Sequence, residues 1–183
     1  EEIIIENNTI SRAGLGSGEG IGSWGIAPMA GMDLEAYNEN GSNGEIYQYE
    51  KVKDVIVRGN TFVASKKADV ILFISEDVVI ENNTMVKGVA VQYSHNVVIK
   101  NNVINATADE DGDMPTSGIA TSDSRRVKNI EIHDNKINGF ENALILSGAE
   151  INAHHNTITD FDTGLTLGKL IDSQAHDNTY NTD

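Results

Sequence analysis

Apolar and polar positions alternate in short segments that end in an asparagine. The residues five and three positions before each of these asparagines are mostly apolar, whereas the residue between them varies, and another apolar residue follows two positions after. A period of two predicts a β-strand with one buried face. Asparagine tolerates left-handed backbone and so predicts a bend at the strand end. The repeated asparagines are Asn8, Asn60, Asn83, Asn102, Asn135, Asn156 and Asn178.

The spacing of these asparagines predicts a solenoid. Successive members are 52, 23, 19, 33, 21 and 22 residues apart, so a unit of about 20 residues recurs, with two insertions. A second alternating segment follows in several units, as at 31–35, 88–92, 118–122 and 164–167. Two strands in about 20 residues leave no room for a helix. We therefore predict an all-β fold, a parallel β-helix of about seven coils that forms one domain over residues 1–183.

The repeat Val-x-Ile-x-x-Asn-x-Ile, as in Val97-Val98-Ile99-Lys100-Asn101-Asn102-Val103-Ile104, resembles that of the pectate-lyase-like superfamily. The resemblance covers nearly the whole chain and implies a right-handed β-helix. It implies little about activity, because that superfamily includes lyases, hydrolases, epimerases, phage tailspikes and binding proteins. The chain begins and ends inside repeats without visible caps. We expect a fragment, or ends covered by other domains or subunits.

Two long insertions predict where a site lies. The first coil carries glycine-rich segments at 13–30 and 37–50, and the fourth coil carries 105–117. Loops on a rigid scaffold often carry function. We expect these insertions to wall a trough whose floor is formed by coils two and three.

The second strands supply the candidate residues of this trough. Asp33 and Glu35 project from one face and are candidates for acid–base catalysis on a glycosidic bond, or for holding Ca²⁺; the alternative is a pair of solvated carboxylates. For a lyase, the candidate bases are Lys66, Lys67 and Lys87. Aromatic and amide side chains suit sugar rings and hydroxyls, so the predicted substrate-binding residues are Tyr37, Phe73, Gln92, Tyr93 and Ser122.

An acidic run in the fourth-coil insertion is a candidate calcium site. Asp109, Asp111 and Asp113 alternate around Gly112, and hard oxygen ligands with a tight turn suit Ca²⁺. The twelfth position counted from Asp109 is Ala120, so this is not an EF-hand loop. The alternative is a solvated acidic loop.

Histidines occupy the last three outward positions that lie two residues before the repeated asparagine. They are His133, His154 and His176, with His155 beside them. A stack of imidazoles can chelate a transition metal or respond to pH. The alternative is an ordinary surface stack.

Composition narrows the expected partners. The 183 residues carry a formal charge of −15 and no cysteine. This charge disfavours nucleic acid and anionic membranes as partners, and the lack of cysteine excludes thiolate chemistry. No apolar run approaches the roughly 20 residues of a membrane helix.

The sequence leaves two functional hypotheses. The first is an extracellular polysaccharide-active β-helix, a lyase or hydrolase that binds a glycan over coils two to four. The second is a non-catalytic structural or glycan-binding segment of a phage tail or cell surface, for which a homotrimer is expected. The motif sets of pectate lyases, polygalacturonases and alginate epimerases are absent. Ice binding is disfavoured, because no regular outward Thr-x-Thr array is present.

Overall fold

The computed structural model describes residues 2–11, 24–26, 52–65, 67–109, 111–122 and 126–182, with 24–26 as backbone only. The residues described form strands, turns and bends, and none lies in a helix that could cross a membrane. The strands, in chain order, are β1 (Ile3–Glu6), β2 (Thr9–Ile10), β3 (Trp24–Ile26), β4 (Val52–Arg58), β5 (Thr61–Phe62), β6 (Ala68–Phe73), β7 (Ser75–Glu81), β8 (Thr84–Met85), β9 (Val89–Gln92), β10 (His95–Lys100), β11 (Val103–Asn105), β12 (Ser117–Ser122), β13 (Lys128–His133), β14 (Lys136–Asn138), β15 (Asn142–His154), β16 (Thr157–Thr159), β17 (Thr163–Ile171), β18 (Gln174–His176) and β19 (Thr179–Asn181).

These strands stack in three parallel faces, as predicted for a β-helix. Face A contains β1, β4, β7, β10, β13, the second half of β15 and β18, and face B contains β2, β5, β8, β11, β14, β16 and β19. Face C contains β3, β6, β9, β12, the first half of β15 and β17. The long strand β15 bends from face C into face A, which joins the two faces into one hydrogen-bonded sheet.

The register places equivalent repeat positions directly above one another. Val78 pairs with Val55 on one side and with Val97 on the other, and all three are buried. Because alternate side chains point inward, the core is a column of aliphatic residues that runs along the axis. The repeated asparagines lie at the corner between faces A and B, where a buried ladder joins Asn60 through to Asn156.

β11 in face B ends at Asn105 and β12 in face C begins at Ser117, so the segment predicted as the fourth-coil insertion lies between these two strands. The strand that the sequence pattern predicts for face C of the first coil, at 31–35, lies outside the described residues. The strand Trp24–Ile26 pairs with Ala68 and Val70 of β6. That strand falls inside the segment 13–30, for which the glycine content predicts a loop. Three residues in a glycine-rich stretch are too few for their alternation to be visible in the sequence.

Candidate functional site

The outer side of face C carries a row of three predicted binding residues. Phe73 pairs with Gln92, and Gln92 pairs with Ser122, in three successive strands. Their neighbours Leu72 and Val91 are buried in the core, so this row faces outward. Rungs of a sheet are about 4.8 Å apart, and the row therefore spans roughly 10 Å. Phe73 and Gln92 are half-buried and Ser122 is exposed, and their role stays a prediction.

Tyr93 adds an aromatic ring beside this row. Its ring centroid lies 5.1 Å from that of Phe73 at an interplanar angle of 79°, an edge-to-face contact. The guanidinium carbon of Arg126 lies 5.4 Å from the centre of the Tyr93 ring. We call Phe73, Gln92, Tyr93, Ser122 and Arg126 the aromatic strip. It combines ring surface with amide, hydroxyl and guanidinium groups.

The corner between faces C and A fixes the position of Tyr93. Tyr93 has a φ of 51° and Ile74, one rung earlier, has a φ of 54°. Bulky side chains rarely adopt this left-handed conformation, so the surrounding structure must hold it in place. The buried Ser94 does so, because its hydroxyl donates to the carbonyl of Gln92 and accepts the amide of Ser75. The ring of Tyr93 is therefore carried on a rigid corner.

A buried carboxylate stands at the other end of β6. Asp69 Oδ2 accepts the backbone amides of Val86, Lys87 and Gly88 at 2.7, 2.6 and 3.0 Å. Burial raises the pKa of the Asp69 carboxyl, against the opposing effect of these amides and of the Ser65 hydroxyl. Asp69 thus acts as a cap that holds the corner between faces B and C of the next coil.

Lys87 is a predicted catalytic base, and its surroundings do not suit that role. Its side chain is buried, with 4% exposed, and Nζ donates to the backbone carbonyl of Asp113 at 3.0 Å. The ammonium therefore holds the acidic loop, which contains Asp109, Asp111 and Asp113, against the corner between faces B and C. Lys67 is exposed at the same edge. The other predicted catalytic residues, Asp33, Glu35 and Lys66, and the predicted sugar-binding Tyr37 lie outside the described residues.

The acidic loop is organised by its own first residue. Asp109 Oδ1 accepts the amides of Asp111 at 3.0 Å and Asp113 at 2.9 Å, and the backbone amide of Asp109 donates to the Asp113 carbonyl. In the part of the chain that the structure describes, no group of three or more acidic or histidine side chains is arranged to hold a metal ion. The calcium site at Asp109, Asp111 and Asp113 stays a prediction.

The four histidines do come together on face A. The ring centroids of His133 and His154 are 5.1 Å apart and those of His154 and His176 are 5.3 Å apart, with nearly parallel planes. Parallel stacked rings do not point their nitrogens at one common ion. The hydrogen bond with His133 lowers the pKa of the Asp134 carboxyl, and the hydrogen bond with His176 lowers the pKa of the Asp177 carboxyl.

Three residues near these sites, Ser65, Asp69 and Arg126, are not among those that the sequence pattern predicts. The sequence does carry a signal for Asp69, since it is the one charged residue in the otherwise apolar strand β6. A carboxylate in such a strand needs buried hydrogen-bond donors. Arg126 stands in a turn and Ser65 in an isolated β-bridge, and nothing in their sequence neighbourhood marks them.

The comparisons with known proteins agree with this architecture. The family described as "right handed beta helix region" matches residues 1–158. The chain belongs to this right-handed β-helix family. Since the family model covers most of the chain, the predicted handedness is confirmed together with the fold.

Two relatives from Bacillus subtilis (strain 168) are similar to the chain. The "uncharacterized protein YclG" is 26% identical over 179 residues, which are 96% of this chain and 29% of YclG. The "SPbeta prophage-derived uncharacterized protein YorA" is 27% identical over 159 residues, 86% of this chain and 25% of YorA. The chain thus spans less than a third of the length of these curated relatives. No solved structure matches significantly.

Proposed function

We propose that this β-helix binds an extended carbohydrate chain along the aromatic strip of face C. The observation that carries the proposal is the row Phe73, Gln92 and Ser122 on three successive rungs, with the Tyr93 ring packed against its first member. Aromatic faces stack on the apolar faces of sugar rings. Amide, hydroxyl and guanidinium groups then bind the ring hydroxyls.

Rigidity and charge support the same proposal. A binding row built on sheet strands is held in place before the ligand arrives, so little conformational entropy is lost on binding. The formal charge of −15 opposes nucleic acid and other dense polyanions. A neutral or weakly acidic glycan is the polymer that fits this surface.

The binding experiment uses a substitution that fits the left-handed backbone conformation at position 93. Asn tolerates positive φ better than Tyr, so Tyr93→Asn is expected to keep or raise the melting temperature. We expect it to weaken binding by about tenfold, which corresponds to about 1.4 kcal/mol. A panel of neutral and acidic polysaccharides is screened by affinity electrophoresis, and the best ligand is measured by calorimetry. Tyr180→Asn, an exposed aromatic on face B, is the matched control.

Equal affinity of wild type and Tyr93→Asn for every bound glycan would contradict the aromatic strip as the binding surface. Failure of the wild-type chain to bind any glycan in the panel would contradict the function itself.

Catalysis on the bound glycan is a separate part of the proposal. A lyase or hydrolase activity would draw on Asp33, Glu35, Lys66 or Lys67. Incubation with the bound polysaccharide, followed by ultraviolet absorbance for unsaturated ends and by a reducing-end assay, tests it. Turnover that is lost in Asp33→Ala/Glu35→Ala supports an enzyme, whereas binding without turnover supports a glycan-binding module.

A second candidate function is a structural segment of a virion or cell surface. The observation in its favour is the relative whose printed name describes it as prophage-derived. An extracellular or virion-associated setting and a homotrimer belong to this proposal. Light scattering that gives a trimer mass would support it, and a monomer that turns over polysaccharide would contradict it.

A further inference from the structure

Two adjacent histidines at the end of β15 turn their rings toward each other. Neighbouring residues of a straight strand point to opposite sides of the sheet. His154 is the last residue of β15, and His155 has a φ of 54°, so the chain turns at the corner that carries the asparagine ladder. As a result, Nδ1 of His154 lies 2.7 Å from Nδ1 of His155, and the two ring planes meet at 88°. Two nitrogens that can each bind a metal therefore face each other.

The rungs on either side provide a comparison within the same fold. His133 pairs with His154, and His154 pairs with His176, so the three histidines hold one position on successive rungs. In the two outer rungs, Nδ1 lies against the carboxylate of the next residue, Asp134 at 2.7 Å and Asp177 at 2.8 Å. Each of these carboxylates can accept the Nδ1 hydrogen. Of these three rungs, only the middle one places a second imidazole at the position of the carboxylate.

Glu131 determines which nitrogen of His154 carries the proton. Its Oε1 lies 2.7 Å from Nε2 of His154 and also accepts a hydrogen bond from Asn152 at 3.1 Å. A neutral imidazole that donates Nε2–H to a carboxylate has its lone pair on Nδ1. That lone pair points toward His155. Metal-binding histidines are commonly held in this way, by a carboxylate on the nitrogen that does not touch the metal.

Negative charge surrounds the pair. Asp134 and Asp177 occupy the position of His155 on the two neighbouring rungs, with the same left-handed backbone. The hydrogen bond with the adjacent histidine lowers the pKa of each of these carboxyls most, and the positive charges of His155 and His154 lower it further. Together with Glu131, three carboxylates lie around two imidazoles. This field favours a cation and disfavours an anion.

We infer that His154 and His155 bind one divalent transition-metal ion through their facing Nδ1 atoms. Two nitrogens that each lie about 2.1 Å from a metal, at a right angle to one another, are about 3 Å apart. The rings therefore need to separate by only about 0.3 Å, and His155 is exposed and can move. The proton of His155 then lies on Nε2, so both rings are neutral ligands. In the described part of the chain no third acidic or histidine side chain is arranged to complete the site, so water supplies the other ligands.

The type of ligand selects the metal. Imidazole nitrogens suit Cu²⁺, Ni²⁺ and Zn²⁺, whereas Ca²⁺ and Mg²⁺ require oxygen ligands. With the same ligands, Cu²⁺ binds more tightly than the other divalent ions of its row, and its planar geometry accepts two adjacent nitrogens and water. We therefore expect Cu²⁺ to bind most tightly. This corner lies between faces A and B, and the aromatic strip lies on face C, so the inference is independent of glycan binding.

The test measures Cu²⁺ binding to the wild-type chain and to two asparagine variants. His155→Asn removes one ligand, and asparagine already occupies the equivalent left-handed position at Asn82 and Asn101. His133→Asn is the matched control, because it removes an imidazole of the same stack whose Nδ1 faces a carboxylate. Calorimetry gives the affinity and stoichiometry, and electron paramagnetic resonance counts the nitrogens bound to Cu²⁺. We expect one ion with two nitrogens in the wild type and in His133→Asn, and about 10- to 100-fold weaker binding through one nitrogen in His155→Asn.

His154→Gln is the second ligand variant, at a repeat position where the side chain varies from coil to coil, and it should lose as much affinity as His155→Asn. Melting temperatures measured without metal should agree among the variants, which separates loss of a ligand from loss of the fold. An affinity of His155→Asn and His154→Gln equal to that of the wild type would overturn the inference. An equal loss in His133→Asn would do the same, because it would assign the ion to the whole stack. So would a wild-type chain that binds no Cu²⁺, or one from which equimolar Ca²⁺ displaces it.

Discussion

The buried asparagines act as both donors and acceptors through one side-chain amide. Asn102 Oδ1 accepts the backbone amide and the side-chain amide of Asn83 at 2.9 and 3.0 Å. Its own Nδ2 donates to the carbonyl of Ile80 and to Asn135 Oδ1, both at 3.0 Å. Each asparagine thus joins its own coil to the coils on either side. Since the side chain is fully buried, water cannot replace any of these bonds.

Asn102→Ala is therefore expected to destabilise the chain by about 3 kcal/mol, because it leaves several buried donors and acceptors without partners. Asn8→Ala is the matched control. Asn8 holds the same repeat position but is exposed, so its loss should cost under about 1 kcal/mol. Urea denaturation followed by circular dichroism measures both. Equal effects of the two substitutions would show that the ladder adds nothing beyond its surface bonds.

Individual side chains differ in how far the sequence can predict them. The asparagine ladder is predictable, because one repeat position carries the same residue in every coil. The burial of Lys87 cannot be predicted, because it depends on how the loop after β11 folds over the corner. Only that folding places the Asp113 carbonyl where it accepts a hydrogen bond from Lys87 Nζ. The left-handed backbone conformation of Ile74 and Tyr93 cannot be predicted from the sequence either, since glycine or asparagine is the usual residue in that conformation. These residues lie at the candidate site, where local preference and fold disagree.

The corner between faces B and C is tightly packed at Gly88. Gly88 has a φ of 79°, and a Cβ atom there would lie 1.9 Å from the carbonyl oxygen of Gly118 in the next coil. The amide of Gly88 also donates to the buried carboxylate of Asp69. Two neighbouring corners therefore approach backbone to backbone. This close stacking leaves no room for a side chain at Gly88.

Gly112 provides a control for Gly88, because the two share a positive φ and differ in space. Gly112 has a φ of 87°, and a Cβ atom added there would meet no other atom within 4 Å. Gly112→Ala should cost about 1 kcal/mol from the backbone alone. Gly88→Ala should cost about 3 kcal/mol or more, because the backbone of Gly118 must also move. Thermal and urea unfolding measure the difference, and equal losses would mean that the corners are not in contact.

Strands are predictable where several rungs repeat one pattern, and less so where the pattern stands alone. Face A follows the repeat in each coil, and its predicted strands pair in the predicted register. The first-coil strand predicted at 31–35 lies outside the described residues, whereas Trp24–Ile26 pairs with β6 in face C. Trp24–Ile26 is only three residues long, so its alternation gives no clear signal in the sequence. Its pairing with Ala68 and Val70 exists only in the folded chain.

The solenoid as a whole carries a large excess of negative charge on a thin core. Face A offsets part of it with ion pairs between neighbouring rungs, such as Arg58 with Glu6 at 2.6 Å and Lys53 with Glu76 at 2.9 Å. These pairs are largely exposed, and exposed pairs contribute little to stability. The remaining acidic groups repel one another along the axis. Net repulsion should therefore outweigh attraction between charges at neutral pH.

Salt is expected to stabilise the folded chain at neutral pH. Raising NaCl from about 20 mM to about 500 mM shortens the Debye length to a few ångströms and screens the repulsion among the excess carboxylates. We expect a gain of about 1 kcal/mol, equivalent to roughly 2–4 °C in melting temperature for a chain of this size. The control is the same titration at pH 4.5, near the isoelectric point. There the net charge vanishes and salt screens only the attractive pairs, so the melting temperature should stay constant or fall. The same increase in melting temperature at both pH values would show that salt acts through its exclusion from the protein surface and not by screening charges.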